Sequence, residues 1–126
     1  MIVDTSVLLS IVLSEPDRLD LVHAMRDADR RALSTASYVE AGLKLVAVGK
    51  EAVPVLDRLV ADLELTLVDV TAEQAREAVR ARARFGGAPA HLNFGDCLVY
   101  ALARTTGEPL LSKGDGFIHT DIARVL

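Results

Sequence analysis

Short apolar segments alternate with longer segments of helical spacing along the whole chain, and this alternation limits the possible folds more than any other feature. Five segments have strand character, the last less clearly than the others: "MIV", "RRALS", "LELTLVDV", "PLLS" and "ARVL". Strands that alternate with helices pair in a mainly parallel sheet, and the helices cover both of its faces. The sequence therefore predicts an α/β fold with about four to five strands flanked by helices.

The segments between these strands carry recognisable helix starts. Thr5 or Ser6 is a candidate cap for the first helix, and Ser34, Thr35 or Ser37 for the third. The predicted helices, in chain order, are Val7–Leu13, Asp17–Asp29, a segment around Tyr38–Leu43 that ends near Gly49, Glu51–Asp62, a helix opened by Thr71 that runs to Phe85, and a helix capped by Asn93.

Length and composition indicate one globular domain over residues 1–126. The chain has no linker-like stretch, and 51% hydrophobic residues supply a core. No apolar run approaches the roughly 20 residues of a membrane span, and Asp4 comes too early for a secretory signal. The single cysteine, Cys97, cannot form an internal disulfide. We therefore expect a cytoplasmic protein without a membrane association.

The charge balance excludes one class of nucleic-acid binder. A net charge of -4 and a pI near 5.3 do not fit a protein that holds a polyanion on a broad basic surface. A phosphate-containing substrate would need a local anchor. A divalent cation held by acidic side chains is one such anchor, because it reverses the sign of the local charge.

The segment "NFGDCLVYALA" places Asp96 at the head of a helix that is otherwise almost entirely apolar. A helix that is apolar on all sides is normally buried, and a buried carboxylate needs a compensating partner. The residues at i+3 and i+4, Val99 and Tyr100, put Asp96 on an apolar stripe. A helix cap alone does not require that position.

Two further aspartates are expected on the same edge of the sheet. Asp4 follows the first strand and Asp115 follows "PLLS", and ligands of parallel sheets bind at the carboxyl ends of the strands. Taken singly, Asp4 can be a helix cap and Asp115 a turn residue. Glu40 is a fourth candidate, with an ion pair to Lys44 at i+4 as its alternative role.

Carboxylates that meet at one point favour a hard divalent cation, Mg²⁺ or Mn²⁺, since otherwise their mutual repulsion raises their pKa values. The chain has neither a His pair at i, i+4 nor a set of cysteines, which argues against zinc. A cation of this kind activates water and stabilises charge on a phosphodiester. Hydrolysis of a nucleic-acid backbone is therefore a natural candidate function.

Four segments resemble a known family, in the family's order and over nearly the whole chain: "MIVDTSVLLSIVLSEPD", "STASYVEAGL", "LNFGDCLVYALA" and "GEPLLSKGDGFIHTDI". They look like the PIN-domain ribonuclease toxins of bacterial toxin-antitoxin modules, the VapC family. The resemblance implies a PIN-like domain and a Mg²⁺-dependent endoribonuclease. It also implies a cognate VapB-type antitoxin, a homodimer within a larger toxin-antitoxin complex, and an RNA substrate, with tRNA or rRNA expected.

The resemblance assigns Asp4 and Asp96 as metal ligands and Glu40 as a further catalytic acid. The fourth position departs from the family pattern, because Gly114 stands three residues before Phe117, where an aspartate is common. Asp115 is our candidate for the missing acid. Asp121, or a site with three acids, is the alternative.

Other polar residues and other functions stay open at this point. Arg76, Arg80 and Arg84 form an i, i+4, i+8 stripe that fits RNA or an ion-paired surface, and Lys113 is a candidate substrate contact. Two alternative functions are a PIN-like module that binds RNA or protein without cleavage, and a phosphohydrolase with Asp4 as nucleophile. The phosphohydrolase is the weaker alternative, because this chain has no acid two residues after Asp4.

Overall fold

A computed structural model, which describes residues 1–126, has a four-stranded sheet at its centre. Its strands are β1 (Ile2–Val3), β2 (Ala32–Ser34), β3 (Thr66–Val68) and β4 (Leu110–Leu111). They lie in the order β3-β2-β1-β4, and every neighbouring pair is parallel. The predicted α/β fold is confirmed. The closing segment "ARVL" contributes only one bridge, between Leu110 and Arg124, so the sheet has four strands and not five.

Helices cover both faces of the sheet, as predicted. They are α1 (Thr5–Val12), α2 (Arg18–Arg26), α3 (Thr35–Ala47), α4 (Ala52–Asp62), α5 (Ala72–Phe85) and α6 (Phe94–Thr106), followed by a short 3₁₀ helix (Gly116–His119). None of them is long and apolar enough to cross a membrane.

Neighbouring residues of β1, β2 and β4 belong to different cores, because side chains alternate across a strand. Ile2 and Leu110 pack with α5 and α6. Val3 and Leu111 face the opposite side and pack with α1 to α4. Every residue of β1, β2 and β4 is buried, whereas the edge strand β3 is largely exposed.

The helix caps correct one prediction and confirm others. The cap of α1 is Asp4, not Thr5 or Ser6, because the chain is already helical at Thr5. Ser34 caps α3 and Asn93 caps α6 through their side chains, as the sequence predicts. Asp4 therefore has a structural role at the very end of β1.

Helix α6 is buried along most of its length. Its buried residues are Cys97, Val99, Tyr100, Ala101, Leu102 and Ala103. It packs against α5, against the strands β1 and β2, and against α3. The last of these contacts brings the first turn of α6 next to α3, which carries Glu40.

Candidate active site

A polar cleft of about 280 Å³ lies where the loops after β1 and β4 meet the start of α6 and one side of α3. All four acids proposed from the sequence line it: Asp4, Glu40, Asp96 and Asp115. Parallel strands direct the residues that follow them to one edge, and this places Asp4 and Asp115 there together. The acids come from four separate parts of the chain.

Asp4 is the most buried of the four acids, with 7% of its surface exposed. Its Oδ2 accepts hydrogen bonds from the Ser6 backbone N–H (3.1 Å) and from the Ser6 hydroxyl (2.5 Å). Burial raises the pKa of Asp4, and the charges of Asp96 and Glu40 raise it further, while the bonds from Ser6 oppose the shift. Oδ1 accepts no hydrogen bond from the chain, so it is available to a ligand.

Ser6 connects Asp4 to the loop that follows β4. The backbone N–H of Lys113 donates to the Ser6 hydroxyl oxygen (3.0 Å), and that hydroxyl donates to Asp4. The Lys113 amine points elsewhere and pairs with Glu15 and with Asp17, the latter at 3.0 Å. Lys113 thus fixes the position of its loop, and its amine is already neutralised by two carboxylates.

Asp96 is half-buried in the first turn of α6. It forms a capping box with Asn93: Asp96 Oδ2 accepts from the Asn93 N–H, and Asn93 Oδ1 accepts from the Asp96 N–H, both at 2.9 Å. Burial raises the pKa of Asp96, the charge of Glu40 adds to this, and the bond from Asn93 and the charge of Lys44 act against it. The Oδ1 atom of Asp96 stays free for a ligand.

Glu40 lies on α3 and reaches the first turn of α6, where its carboxylate comes close to the Cα of Gly95. The ion pair with Lys44 that the sequence allowed is not formed. Lys44 instead lines the same cleft. The charge of Glu40 raises the pKa of both Asp4 and Asp96, so its carboxylate lies near these two acids, and it forms no ion pair with a cation.

Asp115 and Asp121 have different positions. Asp115 is exposed on the rim of the cleft, just before the 3₁₀ helix. Asp121 lies outside the cleft: its carboxylate accepts from the Tyr100 hydroxyl (2.7 Å) and pairs with Arg84 and Arg104, both at 3.5 Å. The proposal that Asp121 completes the acid site is wrong, because its carboxylate is committed to Tyr100 and the two arginines.

Of the three arginines predicted to form a stripe on α5, Arg80 and Arg84 form ion pairs on the surface. Arg80 pairs with Glu77 at 3.0 Å and Arg84 pairs with Asp121. His91 is exposed and does not line the cleft, whereas Asn93 lines it and caps α6.

Comparison with known proteins now places the chain in a family. Residues 1–123 match the family model described as the PIN domain. Ribonuclease VapC28 of Mycobacterium tuberculosis is 46% identical over 130 residues, covering 100% of this chain and 98% of that protein. The chain belongs to the VapC family of PIN-domain ribonucleases. A second VapC relative, Ribonuclease VapC of Mycolicibacterium smegmatis, is 41% identical over 128 residues, with 99% of each protein covered.

Solved structures agree with a VapC fold. The structure of VapBC2 from Rickettsia felis, bound to a DNA fragment from their promoter, has a TM-score of 0.78 at 14% identity, covering 98% of this chain and 94% of that one. The VapC20 toxin of M. tuberculosis, described as Sarcin-Ricin loop cleaving, has a TM-score of 0.77 at 16% identity, covering 97% and 95%. At such low identity these matches show the fold alone.

The donor chemistry of this VapC cleft fits a hard divalent cation. Asp4 and Asp96 each keep one carboxylate oxygen free, and the pKa of both is raised first by burial and then by the charge of a neighbouring acid, which a cation would offset. No three His, Cys, Asp or Glu side chains are grouped closely enough to hold an ion by themselves. Mg²⁺ commonly binds through one or two carboxylates and keeps several waters, which suits a pair of ligands.

Sequence reasoning missed two residues of this site. The sequence indicates Lys44 only as the ion-pair partner of Glu40, although Lys44 lines the cleft. Gly95 has no predicted role, although its position in the first turn of a well-formed helix points to a close contact, because glycine is about 1 kcal/mol less favourable than alanine inside a helix.

Proposed function

We propose that this protein is a Mg²⁺-dependent endoribonuclease that acts as the toxin of a toxin-antitoxin system. The observation that carries the proposal is the meeting of Asp4, Glu40 and Asp96 in one polar cleft of a chain that belongs to the VapC ribonucleases. Their charges act on one another, since Asp96 and Glu40 both raise the pKa of Asp4. Such coupling is typical of a site that needs a cation.

In this proposal Asp4 and Asp96 would hold Mg²⁺, with Mn²⁺ as a substitute, because each has one carboxylate oxygen that accepts no hydrogen bond from the chain. The cation supplies an activated water and stabilises charge on the phosphodiester. Ser6 keeps the Asp4 carboxylate in one orientation by donating two hydrogen bonds to Oδ2. The capping box does the same for Asp96, so both ligands are held in place before RNA binds.

Glu40 and Asp115 have the remaining catalytic roles in the proposal. Glu40 lies near Asp4 and Asp96, orients a water for in-line attack at the phosphorus and accepts its proton as the new P–O bond forms. The opposite P–O bond breaks, and the leaving nucleotide oxygen takes a proton from solvent. Asp115, on the exposed rim, orients water or substrate at the open side. Lys44 binds a phosphate next to the one that is cut, since no carboxylate of the chain pairs with its amine.

We infer the partners and the compartment from the family. The substrate is RNA, with tRNA or rRNA expected, and a VapB-type antitoxin covers the cleft in a larger complex that contains a toxin homodimer. The solved structures of similar fold support this, because one is a toxin-antitoxin complex from Klebsiella pneumoniae and another contains VapBC2. RNA of these classes places the activity in the cytoplasm.

The test is cleavage of mixed tRNA and rRNA by the purified protein without antitoxin. We expect cutting in Mg²⁺ that stops with EDTA and in Asp96→Asn. Absence of cutting by a folded wild-type protein that binds Mg²⁺ would contradict the nuclease for these substrates and favour the alternative, a module that binds RNA or protein without cleavage. Equal cutting in EDTA would contradict the metal dependence.

A further inference from the structure

Gly95, in the first turn of α6, lies next to the Glu40 side chain of α3. A Cβ built on Gly95 would lie 2.1 Å from Glu40 Oε2, 2.9 Å from its Cδ and 3.2 Å from Oε1. These are the three nearest atoms, and all belong to one carboxylate. The space that glycine leaves at this position is therefore filled by the functional group of Glu40, not by the backbone of α3.

The other glycines of the chain do not have this relationship to an acid. A Cβ on Gly42 would approach a methyl group of Leu56 at 3.3 Å, and a Cβ on Gly116 would approach the carbonyl oxygen of Ala90 at 3.2 Å. Cβ atoms on Gly49, Gly87 and Gly107 would meet nothing within 4 Å. Gly95 is thus the one glycine whose missing side chain makes room for a carboxylate of the cleft.

The start of α6 has two opposite electrostatic effects on the Glu40 carboxylate. Gly95 is the second residue of α6, where backbone N–H groups lack partners within the helix and the helix dipole attracts an anion. Asp96 is the next residue, and the charge of Glu40 contributes to its raised pKa. The Glu40 carboxylate beside Gly95 therefore lies where the helix start attracts it and the charge of Asp96 repels it.

We propose that Gly95 is a positioning residue of the active site, which sets the location of the Glu40 carboxylate by allowing it to contact the first turn of α6. This inference rests on the proposed function for its catalytic consequence. The predicted displacement of Glu40 does not depend on that function. An alanine Cβ at position 95 would lie 2.1 Å from Glu40 Oε2, so Oε2 must move by at least 0.9 Å to reach even a tight contact of 3.0 Å. The end of a glutamate side chain can move this far without unfolding α3.

The experiment compares Gly95→Ala, Glu40→Gln and the double variant, with Gly42→Ala as a matched control for adding a methyl group to a helical glycine. Crystal structures of wild type and Gly95→Ala report the Glu40 position directly. Calorimetric Mg²⁺ affinity, kcat and KM for a cleaved RNA, and thermal unfolding complete the set. Thermal unfolding separates a displaced side chain from a damaged fold.

We expect Gly95→Ala to unfold at or above the wild-type temperature and to show a displaced Glu40 carboxylate. If Glu40→Gln lowers the Mg²⁺ affinity, Gly95→Ala should lower it too, and the same holds for kcat. We expect each such loss in Gly95→Ala to be roughly 10- to 100-fold. The double variant should be no worse than Glu40→Gln, because the two changes act through one group. Gly42→Ala should cut RNA at the wild-type rate.

Two results would overturn the inference: a Glu40 carboxylate that stays in place in Gly95→Ala, or losses that add in the double variant. Failure of the proposed function looks different. In that case wild type neither binds Mg²⁺ nor cuts RNA, while the crystal structure of Gly95→Ala still decides whether Gly95 positions Glu40.

Discussion

Asp96 receives the backbone N–H of Asn93 on its Oδ2 atom at 2.9 Å and has its Oδ1 atom free. One carboxylate thus performs two tasks, since it closes the capping box of α6 and offers an oxygen to the cleft. Asp96 can therefore start an otherwise apolar helix both as a cap and as a candidate metal ligand. The two roles are compatible, because each needs only one of the two carboxylate oxygens.

This division of tasks predicts different outcomes for two substitutions. Asp96→Asn keeps an acceptor for the Asn93 N–H, so its free energy of unfolding should stay near that of wild type while Mg²⁺ binding and cleavage are lost. Asp96→Ala removes the acceptor as well and should cost about 1 kcal/mol in stability. Urea unfolding of both variants, beside cleavage assays, measures the two tasks separately. Full cleavage by Asp96→Asn would exclude Asp96 as a ligand.

The buried charge of Asp4 should lower the stability of the metal-free protein, although the proposed function needs that charge. Burial and the neighbouring acids raise its pKa, so the folded protein holds the proton more tightly than the unfolded one, and stability falls as pH rises from 3.8 through the folded-state pKa. Above that pKa, Asp4→Asn should unfold at a higher temperature than wild type in EDTA, because Asn keeps the cap on Ser6 without the charge. Thermal scans between pH 3 and pH 8 test this.

With Mg²⁺ present, wild type should unfold at a higher temperature than Asp4→Asn, the reverse of the order expected in EDTA. A ligand that binds only the folded state stabilises it by about 2.7 kcal/mol at 100 times its Kd. Wild type should therefore gain unfolding temperature with added Mg²⁺, whereas Asp4→Asn should not. An equal gain in both proteins would show that the cation binds elsewhere.

Lys44 should contribute to RNA affinity through charge alone. Lys44→Met is expected to raise KM several-fold with little change in kcat, and to reduce the slope of log affinity against log salt by about 1, as loss of one phosphate contact does. Lys50→Met is the control, because Lys50 is an exposed lysine of the same region that does not line the cleft. Identical salt slopes for both variants would rule out the contact.

Asp115 and Asp121 can be separated by activity. Asp115→Asn should lower cleavage, but less than Asp4→Asn does, because Asp115 is exposed on the rim. Asp121→Ala should leave cleavage unchanged, since Asp121 lies outside the cleft. Initial rates at saturating Mg²⁺ distinguish the two, and a loss in Asp121→Ala at a temperature where it is folded would reverse our correction.

Asp121 should matter for stability instead. Its hydrogen bond from Tyr100 lowers its pKa, so its contribution is present above the ordinary value of 3.8 and is lost as pH falls through the folded-state pKa. The same bond and, first of all, burial raise the pKa of Tyr100 to about 12. The difference in unfolding temperature between wild type and Asp121→Ala should be full at pH 7 and shrink below about pH 4. A difference that does not vary with pH would indicate lost packing only.

The sequence by itself determined the α/β fold, the cap at Asn93 and the set of acids at the edge of the sheet, and it narrowed the cap of α3 to Ser34, Thr35 or Ser37. These follow from local information: alternation of strand and helix patterns, side-chain oxygens before helices, and the rule that parallel strands end at one edge. The same local reasoning placed the first cap at Thr5 or Ser6, because it does not show where β1 stops.

Only the tertiary structure decided the individual roles. Asp115 and Asp121 are both acids near the chain's end, and the packing of Tyr100 and the two arginines is what takes Asp121 out of the cleft. The contact of Glu40 with Gly95 joins helices 55 residues apart in the sequence. No local pattern encodes such a contact, because the distance between two side chains depends on how α3 and α6 pack and not on the residues beside either of them.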